Sequence, residues 1–213
     1  MSRTVKEKRA RFRELHQSGC FILPNPWDVG SARMLESLGF EALASTSTGY
    51  AWSTGRPDYA VTRDDVLEHL TTLANSVNLP LNADFEAGFA PDLEGVAENV
   101  SRAIAVGVAG LSIEDRIVGE SGLYDIATSV ERLKAARAAI DQSGEDVILV
   151  AYLALPFICA HWAILRRWAE PHYLASYGLM PARHGGSLEA QGLRGAGGVR
   201  FLFRLSLAGS ERC

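Results

Sequence analysis

Acidic residues stand at two points of the chain where their spacing suits metal-assisted chemistry. Asp84 and Glu86 belong to the motif NADFE, and Glu114 belongs to the motif SIED. Because side chains alternate along a strand, Asp84 and Glu86 are expected on one side, with Glu114 at the equivalent height on the next strand. Clustered carboxylates repel each other, and Mg²⁺ would neutralise that repulsion. Acidic residues at strand ends also act as helix N-caps or solvated loop residues, so both interpretations stay open.

Strands and helices alternate along the first 150 residues and determine where these carboxylates lie. Short apolar runs predict strands at Cys20–Leu23, Glu41–Ser45, Leu81–Asp84, Gly110–Glu114 and Val147–Ala151. Helical periodicity, with capping and glycine stop signals, predicts helices at Val5–His16, Val29–Leu38, Thr62–Ser76, Asp92–Val106 and Thr128–Ile140. The third and the last of these helices begin with a capping-box pattern, in which a threonine precedes an acidic residue by three positions.

This alternation predicts an α/β fold with a parallel sheet built from right-handed βαβ units. No Gly-x-Gly-x-x-Gly motif follows the first strand, so a (β/α)8 barrel of the TIM type is favoured over a dinucleotide-binding sheet. About four and a half βα units are recognisable, whereas a complete barrel needs about 250 residues. The barrel is therefore predicted to be incomplete.

Three longer motifs lie in the same order and at barrel spacing. They are PNPWDVGSARMLESLGFEALASTSTGYAWSTGRPD, LPLNADFEAGFA and AGVAGLSIED. Over about residues 18–151 the chain resembles the isocitrate lyase and phosphoenolpyruvate mutase superfamily, and within it the smaller phosphoenolpyruvate-mutase-like branch. The resemblance implies a Mg²⁺-dependent barrel enzyme, with Mn²⁺ as the alternative metal. Such an enzyme makes or breaks C–C or P–C bonds of 2-oxo or enolpyruvate-type carboxylates through an enolate.

The resemblance also implies roles for individual residues. Asp84 matches the principal metal aspartate, and Glu86 and Glu114 match acidic residues that act largely through metal-bound waters. Asp58, in the motif GRPD, matches a further acidic residue near the metal and is the catalytic candidate. A loop of hydroxyl residues is implied to hold the substrate carboxylate through its N–H and O–H groups; it consists of Thr46, Ser47 and Thr48.

One departure from the family concerns the segment that would form the mobile lid. The family's true isocitrate lyases carry a Lys-Lys/Arg-Cys-Gly-His motif there, whereas residues 115–127 read DRIVGESGLYDIA, with neither cysteine nor histidine. The thiol acid of those lyases is therefore missing, which disfavours cleavage of isocitrate or methylisocitrate. Oxaloacetate decarboxylation, another 2-oxo acid cleavage and phosphonate chemistry all stay open.

A second departure begins at residue 152. In the family the fifth strand runs into Ala-Arg, and the arginine helps to bind the substrate's anionic group, whereas this chain has Ala151 followed by Tyr152. Residues 1–150 carry 22 acidic and 14 basic residues, a net charge of −8, whereas residues 151–213 carry 3 acidic and 7 basic residues, a net charge of +4. We therefore predict a barrel part at 1–151 and a divergent or frame-shifted tail of unknown fold at 152–213. The alternative function is a catalytically inactive barrel fragment.

Composition also yields expectations about partners and location. The formal net charge of −4 gives no sign of a nucleic-acid partner. The charged N-terminus lacks the apolar core of a signal peptide, and three cysteines do not indicate a disulfide framework, so a cytoplasmic location is predicted. The uncharged stretch 147–165 contains Pro156 and His161 and is not expected to span a membrane. The partner is a small carboxylate substrate; a homo-oligomer is an open expectation, because the family assembles through C-terminal helices missing here.

Overall fold

The computed structural model describes residues 2–152 and the backbones of two later strands, and the rest of the predicted tail lies outside the described residues. The helices are α1 (Val5–Leu15), α2 (Val29–Ser37), α3 (Ser47–Ser53), α4 (Arg63–Ser76), α5 (Leu93–Val106) and α6 (Ile126–Ser143). The strands are β1 (Leu43–Ala44), β2 (Leu81–Asp84), β3 (Gly110–Glu114), β4 (Ile148–Tyr152), β5 (Tyr173–Tyr177) and β6 (Phe203–Arg204).

The strands form one sheet whose order follows the chain, β1-β2-β3-β4-β5-β6. The first five strands pair in parallel, and β6 pairs antiparallel to β5. Each parallel pair from β1 to β4 is bridged by at least one helix, so the predicted βαβ units are present. A strand order that follows the chain without a reversal is typical of a barrel wall, whereas the strand order of a dinucleotide-binding sheet reverses midway. The predicted α/β class is confirmed.

Alternate residues of the strands face two different apolar clusters. Odd-numbered strand residues such as Leu43, Leu111 and Leu149 pack beneath the helices α4, α5 and α6. Ala44 and Ile148 face the other side, where a second cluster contains residues of α1. Side chains on this inner face turn polar toward the carboxyl ends of β2 and β3, as expected where a barrel carries its chemistry.

Helix α1 covers the amino ends of the strands. Phe12 is fully buried in the inner cluster and packs where a Cβ on Gly110 would clash with its ring. Buried Arg9 donates hydrogen bonds to the carbonyl oxygens of Val108 (3.0 Å) and Ile104 (2.8 Å) and pairs with Glu145. These contacts attach α1 to the end of the sheet opposite the acidic motifs.

Several predicted boundaries agree with the structure and have local causes. Helix α4 begins at the capping box of Thr62 and Asp65, and α5 begins after the N-cap Asp92. Gly107 ends α5 in the left-handed conformation (φ 98°), which glycine adopts without steric cost. Strands β2 and β3 have the predicted bounds.

One predicted strand and the predicted start of one helix are wrong. Cys20–Leu23 forms only a single bridge, at Leu23, because Pro24 follows at once and the neighbouring strand β1 is two residues long. Helix α6 begins at the N-cap Asp125 rather than at Thr128, since the carboxylate of Asp125 accepts from the N–H (2.9 Å) and the hydroxyl (2.8 Å) of Thr128.

One further finding concerns the described helices. Among the helices that the structure describes, none combines the length and the apolar character that a membrane crossing requires. The cytoplasmic location stays a prediction.

Candidate functional site

The acidic motifs meet at the carboxyl ends of β2 and β3. Asp84 is the last residue of β2, Glu114 is the last residue of β3, and Glu86 lies two residues beyond β2. The N–H of Glu114 donates to the carbonyl oxygen of Glu86 (2.8 Å), which extends the pairing of the two segments past the end of β2. The predicted convergence of the three carboxylates is therefore present in the backbone.

Glu86 is buried beside other negative charges. Burial is the largest cause that raises the pKa of Glu86, and the charges of Asp84, Glu114 and Asp58 raise it further, to about 8. Its Oε1 atom is buried and has no hydrogen-bond partner among the described residues. In the metal-free protein this carboxyl group therefore keeps its proton at neutral pH, and a cation would provide the missing counter-charge.

Asp84 and Glu114 are each held by a neighbouring hydroxyl group. Asp84 Oδ2 accepts hydrogen bonds from the N–H (2.8 Å) and the hydroxyl (3.0 Å) of Ser47. Glu114 Oε2 accepts from the hydroxyl of Tyr59 (3.0 Å). Burial and the charge of Glu114 raise the pKa of Tyr59, so the phenol stays a proton donor. These bonds fix the direction of both carboxylates.

The hydroxyl residues predicted to bind substrate form the start of helix α3 rather than a loop. Thr46 is the N-cap, and its Oγ1 accepts from the N–H of Gly49 (3.1 Å). Thr48 Oγ1 donates to Asp58 Oδ1 (2.7 Å), which brings the catalytic candidate to the same edge of the sheet. The structure thus joins Ser47 to Asp84 and Thr48 to Asp58, and their contact with a substrate stays a prediction.

A cavity of about 430 Å³ opens beside Glu86. Tyr59, Arg63 and Phe89 line one part of it, and Arg116 with residues 117–121 lines another. The guanidinium of Arg116 lies 3.8 Å above the centre of the Tyr59 ring. The cavity is large enough for a small carboxylate, and its wall carries Arg63, Arg116 and Glu86.

The donor set suits a hard divalent cation, although the ligands are not assembled. Within residues 2–152 no group of three histidine, cysteine or acidic side chains is placed closely enough to hold a metal ion. The converging groups are all carboxylates, which Mg²⁺ and Mn²⁺ prefer, and the unpartnered Oε1 of Glu86 is a free ligand atom. The residues therefore fit such a cation, and the metal site stays a prediction.

Two residues of this site were not identified from sequence. Tyr59 directly follows Asp58, and Arg116 follows the SIED motif by one position. Their positions beside acidic candidates are the only sequence signal, because a tyrosine and an arginine in loops are usually surface residues. Tertiary structure places Tyr59 against Glu114 and Arg116 against Tyr59.

The fold is that of a TIM-barrel-type α/β protein, and the carboxyl ends of β2 and β3 bring together Asp84, Glu86 and Glu114, which we call the acidic edge. Residues 12–153 match the model of the phosphoenolpyruvate phosphomutase family. Because this match covers more than half of the chain, the protein belongs to that family, within the isocitrate lyase and phosphoenolpyruvate mutase superfamily. The resemblance stated from the motifs is confirmed, and the match ends two residues past the predicted boundary at residue 151.

Individual relatives agree with this assignment. The 2-methylisocitrate lyase of Escherichia coli K12 is 32% identical over 131 residues, covering 58% of this chain and 44% of that protein. The oxaloacetate decarboxylase of Pseudomonas putida GB-1 is 32% identical over 152 residues, covering 65% and 51%. The crystal structure of a candidate lyase/mutase from Burkholderia cenocepacia J2315 is 43% identical, with a TM-score of 0.68 and coverage of 70% and 55%. The barrel-type fold is confirmed, and the chain spans about half the length of the curated relatives it matches.

Proposed function

We propose that this protein is a Mg²⁺-dependent lyase or mutase that acts on C–C or P–C bonds of a small 2-oxo or enolpyruvate-type carboxylate through an enolate. The observation that carries the proposal is the buried carboxyl group of Glu86 beside Asp84 and Glu114, whose Oε1 atom has no hydrogen-bond partner among the described residues. Its position at the carboxyl ends of barrel strands is where such folds carry catalysis. The named activities of the E. coli and P. putida relatives, both of which break C–C bonds, support the reaction class.

Asp84, Glu86 and Glu114 are the residues that would hold the cation, with Mn²⁺ as the alternative. Bound there, the cation supplies positive charge to the oxygens of the oxo acid and to the negative charge that develops as the adjacent bond breaks. Glu86 would hold the cation in its ionised form, because a carboxyl group is a ligand only after it has lost its proton. Ser47 orients Asp84, since its N–H and its hydroxyl both donate to Oδ2 of that side chain.

Polar groups around the cavity have complementary tasks. The Tyr59 hydroxyl orients Glu114, and Arg116 stacks on the same ring and brings a positive charge to the cavity wall. Asp58 accepts from Thr48, so an acid and a hydroxyl stand together at the start of α3. We assign the substrate carboxylate to this helix start, with Thr46, Ser47 and Thr48 as its partners, and Asp58 to proton transfer near the reacting carbon.

The substrate class follows from what the lid segment contains. Residues 115–127 have no cysteine or histidine that could act as the acid of isocitrate-type cleavage. Oxaloacetate is therefore the first substrate to test, because decarboxylation of a 2-oxo acid requires stabilisation of the enolate rather than a thiol acid. Other 2-oxo acids and phosphonates follow in the same screen.

The alternative is a catalytically inactive barrel fragment. The residue that favours it is Tyr152, which stands where the family pattern has an arginine for the substrate's anionic group. Tyr152 pairs in register with Glu114 across β3 and β4, so the substitution falls at the height of the acidic groups. An inactive fragment and an enzyme differ in whether the acidic edge binds a cation together with a substrate mimic.

Isothermal titration of the full chain with Mg²⁺ and oxalate, a mimic of the enolate, separates the two. Asp84→Ala is the site variant, and Asp125→Ala is the matched control, because Asp125 caps α6 and takes no part in the site. The proposal expects binding by the wild type and the control and at least about tenfold weaker binding by Asp84→Ala, equivalent to about 1.4 kcal/mol. If the wild-type protein is folded but does not bind Mg²⁺ with oxalate, the proposed enzymatic function is rejected and the inactive fragment is favoured.

A further inference from the structure

The segment that carries Glu86 has an unusual backbone. Glu86 (φ 46°) and Phe89 (φ 55°) are left-handed although neither is glycine, and Gly88 (φ 82°) lies between them. Residues with a side chain adopt this region at a cost, and they persist there only where the surrounding structure holds them. The segment 85–91, which we call the Glu86 loop, therefore needs fasteners from neighbouring elements.

Arg132 of α6 is the main fastener. Its side chain is 2% exposed, and its guanidinium donates to the carbonyl oxygens of Pro91 (2.9 Å), Ala90 (2.7 Å) and Ala87. No ion pair joins Arg132 to an acidic side chain within residues 2–152. A buried arginine whose two terminal nitrogens donate to three main-chain oxygens of one loop fixes the path of that loop.

Asn99 of α5 fastens the same loop from a second side. Its Nδ2 donates to the carbonyl oxygens of Gly88 (2.9 Å) and Phe89 (3.3 Å). The side chain is buried, and its Oδ1 accepts from Arg63 (3.0 Å). Because Asn99 remains when Arg132 is changed, loss of the arginine is expected to loosen the loop rather than to unfold the protein.

Arg132 also reaches the segment that lines the cavity. Its guanidinium lies 4.4 Å above the centre of the Tyr124 ring. The N–H of Tyr124 donates to the carbonyl oxygen of Asp115 (2.8 Å), which closes the hairpin made by the Arg116–Leu123 bridge. One side chain thus contacts both the Glu86 loop and the base of the hairpin that faces Glu86 across the cavity.

We propose that Arg132 is a positioning residue that sets the affinity of the acidic edge for a divalent cation and a small carboxylate without touching either. Its hydrogen bonds hold the loop that places Glu86 beside Asp84 and Glu114, and its contact with Tyr124 ties this loop to the hairpin on the other wall. The inference rests on the proposed function, because the cation and the carboxylate are those of that proposal. It adds a residue from outside the cluster of acidic and hydroxyl groups.

The experiment compares Arg132→Met with Arg9→Met in the full-length protein. Arg9 is a matched control, since it is also a buried arginine that donates to main-chain carbonyl oxygens, but at the opposite end of the sheet. The first measurement is the dissociation constant for Mg²⁺ with oxalate. The second is hydrogen exchange of the Phe85 and Gly88 amides, which donate within and beside the Glu86 loop.

Arg132→Met is expected to weaken binding by at least about tenfold and to speed exchange of the two loop amides by at least about tenfold. Arg9→Met is expected to lower the thermal midpoint by a similar amount and to leave both quantities within about twofold of the wild type. Arg132→Lys, which keeps the charge but offers a single donor group, is expected to fall between the wild type and Arg132→Met. It also serves as the test variant if Arg132→Met does not fold.

The outcomes separate the positioning role from the proposed function. If Arg132→Met matches Arg9→Met in both measurements, the positioning role is overturned. If the wild type itself does not bind Mg²⁺ with oxalate, the proposed function fails. The exchange of the loop amides then decides alone whether Arg132 holds the Glu86 loop. Unchanged exchange in Arg132→Met then overturns the fastening of the loop, whereas faster exchange confined to this variant supports it.

Discussion

Glu86→Gln is expected to stabilise the metal-free protein at neutral and alkaline pH. The pKa of Glu86 is about 8, against 4.5 for a free side chain, because burial and neighbouring carboxylates disfavour its charge. The unfolded chain releases this proton above pH 4.5 and the native protein holds it until pH 8. Stability therefore falls as pH rises through this window, by about 1.4 kcal/mol per pH unit. At pH 7 the free energy of unfolding of the wild type is therefore about 3 kcal/mol lower than at a pH where Glu86 is protonated in both states. The neutral glutamine of the variant does not cause this loss.

Urea unfolding followed by circular dichroism at several values between pH 5 and pH 8.5 measures the effect. The difference in unfolding free energy between the variant and the wild type isolates Glu86, since the other titrating groups are shared. We expect this difference to be small at pH 5 and to grow in favour of the variant up to pH 8. With Mg²⁺ and oxalate at about 100 times their dissociation constant, the wild type gains about 2.7 kcal/mol and the variant gains less, so their difference narrows or reverses.

A difference that does not change with pH would contradict the reasoning, because it would mean that Glu86 ionises in the native protein as it does in the unfolded chain. A pH-dependent difference that Mg²⁺ and oxalate leave unchanged would retain the burial of Glu86 but reject its role as a ligand. Asp125→Asn serves as the control, since an exposed cap is expected to give no rise in stability between pH 5 and pH 8.

Three further predictions concern other parts of the molecule. Burial lowers the pKa of His69, whose ring is stacked on that of Tyr50 with 3.9 Å between the ring centres, to about 4. The unfolding free energy of the wild type is therefore expected to fall by about 3 kcal/mol between pH 6.5 and pH 4. In urea titrations, His69→Phe is expected to remove that loss. Binding of Mg²⁺ with oxalate at pH 7 is expected to release about one proton from Glu86, measured by calorimetry in buffers of different ionisation enthalpy; release near zero contradicts this. Gly110→Ala is expected to lower the free energy of unfolding by about 2 kcal/mol and the thermal midpoint by about 6 °C, because the new Cβ meets the ring of Phe12 in α1. Gly30→Ala is the control and is expected to have no such effect, since the nearest atom to its new Cβ lies at 3.5 Å.

Elements with strong local signals could be predicted from sequence, and elements held by distant contacts could not. Strand β2 follows a proline, and α5 lies between the cap Asp92 and the stop Gly107, so both were predicted to the residue. Helix α3 was missed because its start, rich in serine and threonine, is typical of a loop. The Ser47 N–H that begins this helix is held by Asp84, 37 residues away, and no local pattern reports such a bond.

The sequence argument for the acidic site, which is the alternation of side chains along a strand, holds for two of its three residues. Alternation along a strand accounts for Asp84 and Glu114, which are the last residues of β2 and β3. Glu86 lies beyond β2 with a left-handed backbone, so its place depends on its pairing with Glu114 and on Arg132 rather than on alternation. In the sequence, nothing distinguishes Arg132 from Arg137, which lies on the same helix and pairs with Asp141, because the burial of Arg132 arises from the loop that it contacts.

The way in which α1 is attached has a consequence for the order in which the protein can form. Arg9 pairs with Glu145, 136 residues later, and Phe12 shares its apolar cluster with Ile148 and Val150 of β4. The residues that form and hold the acidic edge, in contrast, all lie between α3 and α6, Arg132 included. The acidic edge can therefore form while α1 still lacks the surface that β4 completes. Contacts of long sequence separation form slowly, and those of α1 lie at the end of the sheet opposite the acidic edge.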